Sequence, residues 1–154
     1  MRRWLWALAM LAPLGLPAEE ADQAPPLEIR ADRAEIDHLQ HVALFQGHVV
    51  LRRGAFELRC PRLRAYFREE QGRLRLVRAK ATGGVQFRDR KAHGNAKQAE
   101  LDLGSQKLVL LGDARIEREG GLIEGERIEH DLAKQRTKVA PKEGTKVRVW
   151  IEEQ

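Results

Sequence analysis

The feature that most constrains this chain is a repeat. Leu44-Phe45-Gln46-Gly47-His48-Val49-Val50-Leu51-Arg52-Arg53-Gly54 returns as Leu110-Leu111-Gly112-Asp113-Ala114-Arg115-Ile116-Glu117-Arg118-Glu119-Gly120. Each copy is an apolar step, a glycine, an alternating strand and a glycine turn. A degenerate third copy, Ala81-Thr82-Gly83-Gly84-Val85-Gln86-Phe87-Arg88, lies between them. A repeated strand-turn-strand unit specifies stacked hairpins, and such a stack buries a core only by adding neighbours. Function must then lie in what the stack encloses or in what its ends touch.

From Leu27 onward the apolar period is two, and no window carries a helical stripe. Leu74 to Ala81 superficially suits a helix, but Arg-Leu-Arg-Leu-Val-Arg alternates and lacks caps. The chain is therefore all-β, with short strands every 8–12 residues. Interior candidates along it are Ile36, Leu44, Val49 and Leu51; Phe56, Leu58, Leu63 and Phe67; Leu74, Leu76, Val85 and Phe87; Leu101, Leu103, Leu108 and Leu110; and Ile116, Ile123 and Ile128. The apolar parity changes from even (Phe56, Leu58, Cys60) to odd (Leu63, Ala65, Phe67) across Pro61. This places a bulge or corner at Cys60-Pro61. Asp89 to Asn95 is polar, and Gly94 and Asn95 suit a turn or a bulge. Ala34, Leu63, Ala99 and Ile128 each open an alternating strand after a polar turn. Their separations are 29 (63 − 34), 36 (99 − 63) and 29 (128 − 99).

The first residues stand apart. Met1-Arg2-Arg3 precedes an apolar run from Trp4 to Leu16, and Leu16-Pro17-Ala18 ends in a small residue. This is the anatomy of a secretory signal peptide. The run falls short of the ~20 residues that span a bilayer. The expected organisation is a signal peptide over 1–18, a linker over 19–26 and a β-domain over 27–151. Cleavage falls after Ala18, with Ala21 and Ala24 as alternatives.

The full chain has 28 basic and 23 acidic residues. Removing residues 1–18 takes away Arg2 and Arg3, leaving 26 against 23 and a net charge of +3. The signs are interspersed, which describes a solvated outer face rather than a nucleic-acid footprint. The lone Cys60 has no intramolecular partner; it reads as a small buried apolar residue, with an intermolecular bridge as the alternative. The histidines show no metal spacing. No nucleophile motif, phosphate loop or cofactor fingerprint is present. Most of the carboxylates fall on the face opposite the apolar residues, so an enzyme built on converging carboxylates is disfavoured. What remains is the apolar face, either an ordinary sealed core or a trough that holds acyl chains.

The segments Leu27-Glu28-Ile29-Arg30-Ala31-Asp32-Arg33-Ala34-Glu35-Ile36-Asp37 and Ala43 to Gly54 resemble the LptA family of periplasmic lipopolysaccharide-transport proteins. Leu110 to Ile116 and Ile123 to Asp131 match the second half of that family's pattern. Two departures are His48, where the family usually has Asn, and Cys60-Pro61 in place of Ala-Asp. The resemblance implies a twisted antiparallel β-jellyroll, open and V-shaped in section. It implies that lipid A acyl chains of lipopolysaccharide ride in the apolar groove, without covalent chemistry or cofactor. It also implies head-to-tail self-association that joins an inner-membrane LptC-type protein to an outer-membrane LptD-type protein. The unpaired edges available for this are Leu27–Asp37 and Lys146–Ile151. A membrane-anchored LptC-like component and a structural β-repeat with a sealed core are the competing expectations.

Overall fold

The structure is a computed structural model that describes residues 25–152. The expected signal peptide, and the linker up to residue 24, lie outside the described residues. The chain forms ten strands: β1 (Leu27–Arg30), β2 (Arg33–Asp37), β3 (Val42–Arg53), β4 (Phe56–Glu70), β5 (Arg73–Asp89), β6 (Ala92–Asp102), β7 (Lys107–Arg118), β8 (Gly121–Asp131), β9 (Arg136–Ala140) and β10 (Arg148–Ile151). All belong to one antiparallel sheet, and the described residues include no helix. β1 and β2 pair with the two halves of β3, and β9 and β10 with the two halves of β8. The molecule is thus a ladder of eight rungs, β1–β2 being the first and β9–β10 the last.

Each rung bends at the same height. The register shifts between Gln46 and Val49, Arg59 and Arg62, Thr82 and Val85, Asn95 and Gln98, and Leu111 and Ala114. These irregularities form a crease across the sheet. β3, β5 and β7 cross it on pairs with positive φ: Gly47 and His48 (78° and 45°), Gly83 and Gly84 (89° and 96°), Gly112 and Asp113 (81° and 45°). A glycine in the left-handed region opens a bulge of this kind at little steric cost, and His and Asp tolerate that region better than most residues. His48 is therefore a serviceable substitute for Asn at this place. The inward residues flanking the crease are four apart on β3, β5 and β7 (45 to 49, 81 to 85, 110 to 114) and three apart on β4, β6 and β8 (60 to 63, 96 to 99, 125 to 128). The parity change at Cys60-Pro61 is one case of this general rule.

The crease divides the sheet into two leaves that close on each other. Each leaf carries an inward row that crosses all eight rungs in register. One row is Ala34, Phe45, Leu63, Ala81, Ala99, Leu110, Ile128 and Val139. The other is Ile29, Leu51, Leu58, Phe87, Gly94, Ile116, Ile123 and Val149. The four residues singled out by their spacing in the sequence all fall on the first row. Along the chain, the row is left and regained after 18 residues through the second leaf (45 to 63, 81 to 99, 110 to 128). Through the first leaf the return takes 11 residues (34 to 45, 99 to 110), except in β4–β5, where it takes 18 (63 to 81). The seven extra residues lengthen one hairpin. Residues 67–77 of that hairpin project past Val42 and Asp102, the last paired residues of its neighbours.

Two interior candidates are corrected here, Leu44 and Leu74, the latter 55% exposed on the projecting hairpin. Leu44 faces outward, paired with Glu35 and Arg64, and Ala43 and Phe45 take the inner face. The alternation of Val42, Leu44 and Gln46 misled because the inward position opposite Ala65 is filled by the small Ala43. Of the turn or bulge expected at Gly94 and Asn95, the structure has the bulge, a register shift between Asn95 and Gln98. The chain reverses at Arg90-Lys91, and Gly94 sits in the inward row. A Cβ there would collide with the Arg115 carbonyl oxygen and lie 2.6 Å from Phe87 Cε1, so glycine is required by close approach.

Candidate functional site

The space between the leaves is lined by most of the interior candidates. Leu51, Leu58, Leu63, Leu101, Leu108, Leu110, Ile116 and Ile128 are 0–1% exposed, and Val49, Phe56, Leu76 and Phe87 are also buried. Phe67, Leu103 and Ile123 are partly buried against this cluster. Ile36 shares the inward register of Ala43 but is 55% exposed, because β2 lies at the edge of the sheet with no further rung beyond it. Small residues complete the lining: Ala65 and Ala99, already on the apolar face in the sequence, and Ala43, Ala79, Ala81 and Ala114, which were not among the interior candidates, are all buried. They let the leaves approach closely. At rest the interior is filled by its own side chains.

Cys60 belongs to this interior. It is 7% exposed, and burial pushes its thiol up to about 11. The enclosed thiol packs as a small apolar residue, the first of the two readings taken from the sequence.

Polar groups enter the interior at one place only among the described residues. Asp89 and His130 are the buried charged or polar members of the core. Asp89 ends β5 on the second leaf, and His130 lies on β8 in the first. Gln135, in the turn between β8 and β9, donates through Nε2 to Asp89 Oδ2 (2.9 Å) and to the Leu132 carbonyl (2.7 Å). His130 Nδ1 bonds Thr137 Oγ1 at 3.0 Å, and its ring meets Phe87 with centroids 6.1 Å apart. Arg118, at the end of β7, donates to the Gln135 carbonyl at 3.3 Å. Burial holds the His130 imidazolium below its usual pKa; the Asp89 carboxylate opposes that and Arg118 adds to it.

The outside is charged. Arg62, Arg64, Arg68, Arg75, Arg78 and Lys80 share the outer face of β4 and β5. Glu57 bridges Arg52 and Arg59, and both guanidinium groups hold its carboxyl below the ordinary range. A concavity of about 790 Å³ follows the crease, where outward His48, Arg59, Pro61, Gln86, Asn95 and Lys97 line it together with the interior residues Val49, Cys60, Val85 and Ala96. Among the described residues no group of three or more His, Cys, Asp or Glu side chains could hold a metal. The two end rungs leave Ile36, Leu39, Val149, Trp150 and Ile151 exposed.

Residues 28–136 match the family described as LptA/(LptD N-terminal domain) LPS transport protein. This chain belongs to that family. It is 28% identical over 138 residues to the lipopolysaccharide export system protein LptH of Pseudomonas aeruginosa, covering 84% of this chain and 74% of that protein. The crystal structure of LptH, described as the LptA homologous periplasmic component of the conserved lipopolysaccharide transport device, superposes with a TM-score of 0.74 at 20% identity. The match covers 84% of this chain and 96% of the chain in that crystal structure. The fold is accordingly the β-jellyroll expected from the sequence resemblance.

Proposed function

We propose that this chain is a periplasmic carrier of lipopolysaccharide, one segment of a bridge between the inner and outer membranes. Membership of the LPS transport family, together with two facing apolar rows of eight positions, carries the reading. Lipid A acyl chains would lie between the leaves, on Leu51, Phe56, Leu58, Leu101, Leu108 and Leu110, with their phosphates toward basic side chains at the lips. Apolar burial supplies the affinity and no bond is made or broken. The first and last rungs would add strands from neighbouring copies, or from LptC-type and LptD-type partners, through their free edges.

Photocrosslinking to lipopolysaccharide from Leu51, Phe56 or Leu108 tests the reading. Labelling should exceed that from the outward Arg52, and equal labelling would sink the groove. N-terminal sequencing of the mature protein separates a soluble carrier from an anchored LptC-like component; an intact Met1 would favour the anchor. The filled interior favours one second reading, a structural β-repeat with a permanently sealed core. That reading expects no lipid label at any interior position.

A further inference from the structure

An interior filled by its own side chains admits an acyl chain only if the leaves part, so the groups that hold the lips together control access. The crease joins the leaves at their base through the backbone. At the lips, the side-chain hydrogen bonds found between leaves among the described residues converge on one place. Gln135 of the first leaf meets Asp89 of the second at 2.9 Å, and Arg118 of the second leaf meets the Gln135 carbonyl at 3.3 Å. His130 stands behind them with Nε2 3.7 Å from Asp89 Oδ2, beyond hydrogen-bond reach and without another partner. Elsewhere the two leaves carry apolar groups, Phe56 in the buried cluster and Phe67 packed against it. Apolar contacts slide and re-form around a hydrocarbon chain, whereas a buried hydrogen-bonded pair is made or broken as a unit.

We propose that Asp89, Gln135 and His130 form a latch across the lips of the β5–β8 half, which must release before an acyl chain enters that half of the interior. The inference rests on the carrier reading above. The latch has the character such a device needs. Its central bond is single, its histidine is only half satisfied, and both turns that carry it, Arg90-Lys91 and Leu132–Gln135, lie at the surface. Opening gives the His130 Nε2 and the Asp89 carboxylate access to water, which offsets part of the lost contact. The entering molecule is identified by chemistry alone: an amphiphile whose hydrocarbon tails replace leaf-to-leaf packing.

The test uses the full chain with Cys60→Ser, Asp89→Cys and Gln135→Cys, bridged by a short bis-thiosulfonate reagent and released by reduction. The same molecules are compared in both states, so a folding defect cannot pass for a gating effect. Hydrogen exchange reports the lips without any lipid. Residues 90–93 and 131–136 should exchange about tenfold faster in the released protein than in the unsubstituted one, the factor expected for losing one or two buried hydrogen bonds, and bridging should abolish the increase. Uptake of rough lipopolysaccharide, read by photocrosslinking at Leu108, should be about tenfold faster released than bridged. Equal exchange in the two states would overturn the latch whatever uptake does. Unequal exchange with equal, measurable uptake would also overturn it as a gate. Unequal exchange with no uptake in any state would leave a latch that holds the lips and remove the carrier reading instead.

Discussion

His130 Nε2 lies 3.7 Å from Asp89 Oδ2, and both residues are buried between the two leaves. The separation is too long for a hydrogen bond, so a buried imidazole nitrogen goes without its partner. Leaving such a group unsatisfied costs about 1–3 kcal/mol. The cost is tolerated because Nδ1 is bonded to Thr137 and the ring is packed near Phe87. The most apolar part of the molecule therefore contains one polar group that would be better solvated outside it.

Stability should consequently depend on pH near neutrality. His130 has a lowered pKa when folded, mainly from burial, with Arg118 reinforcing and Asp89 and Asp131 opposing. The unfolded or opened chain takes up a proton at a pKa of about 6.5. Stability from a depressed histidine is present above that value and is lost as pH falls below it. His48 has the opposite sign, since Asp32 raises it, but it is fully exposed and weakly coupled to folding. The melting temperature should fall by a few degrees between pH 7 and pH 5.5, and His130→Phe should remove most of that fall. The same decline in both proteins would dismiss His130 as its source.

The corrected facing of β3 gives a second comparison. Leu101 is fully buried, and Leu101→Ala should cost about 2–5 kcal/mol. Leu44 lies between Glu35 and Arg64 on the outer face, so Leu44→Ala should cost less than about 1 kcal/mol. Urea melts of the two variants check this; similar losses would return Leu44 to the core.

Much of this architecture was legible in the residues. Ala34, Leu63, Ala99 and Ile128 marked one inward row, and the seven surplus residues between Leu63 and Ala99 marked the long β4–β5 hairpin. The parity change at Pro61 marked the crease. The phase of residues 42–46 was not legible, because side-chain size pointed to Val42 and Leu44 while geometry demanded the small Ala43. Asp89 opens a polar stretch in the sequence that carries no sign of burial. Its burial depends on Gln135, 46 residues later, and becomes visible only when the leaves close. Local alternation reports which face a residue takes within its rung, whereas a contact between leaves depends on the crease that every rung shares.

Gly94 allows a direct test of that closeness. A Cβ at this position meets the Arg115 backbone and the Phe87 ring, neither of which can move aside without disturbing a neighbouring rung. Gly94→Ala should destabilise by about 2 kcal/mol through overpacking. Gly72, at the tip of the long hairpin, has open space around it and a φ of 73°. Gly72→Asn should therefore be nearly neutral, since Asn tolerates that region. Thermal melts that rank the two variants the other way would contradict the packing described for the inward row.

The last rung can be blocked without being removed. Glu152 N donates to the Gly120 carbonyl. In an antiparallel pair successive amides alternate in direction, so the amides of Arg148, Trp150 and Glu152 turn toward β8 and those of Val149 and Ile151 turn outward. Val149→Pro with Ile151→Pro removes the outward donors and keeps the bonds that hold β10 to β8. Val149 and Ile151 are 56% and 74% exposed, so little packing is lost. If end-to-end assembly runs through this edge, the double variant should melt within a few degrees of the parent and fail to form concentration-dependent oligomers by light scattering. Deletion of Lys146–Gln154 should give the same loss of assembly with a larger loss of stability, because it also uncovers the edge of β8. Oligomers that persist in the proline variant would place the joint elsewhere on the ladder.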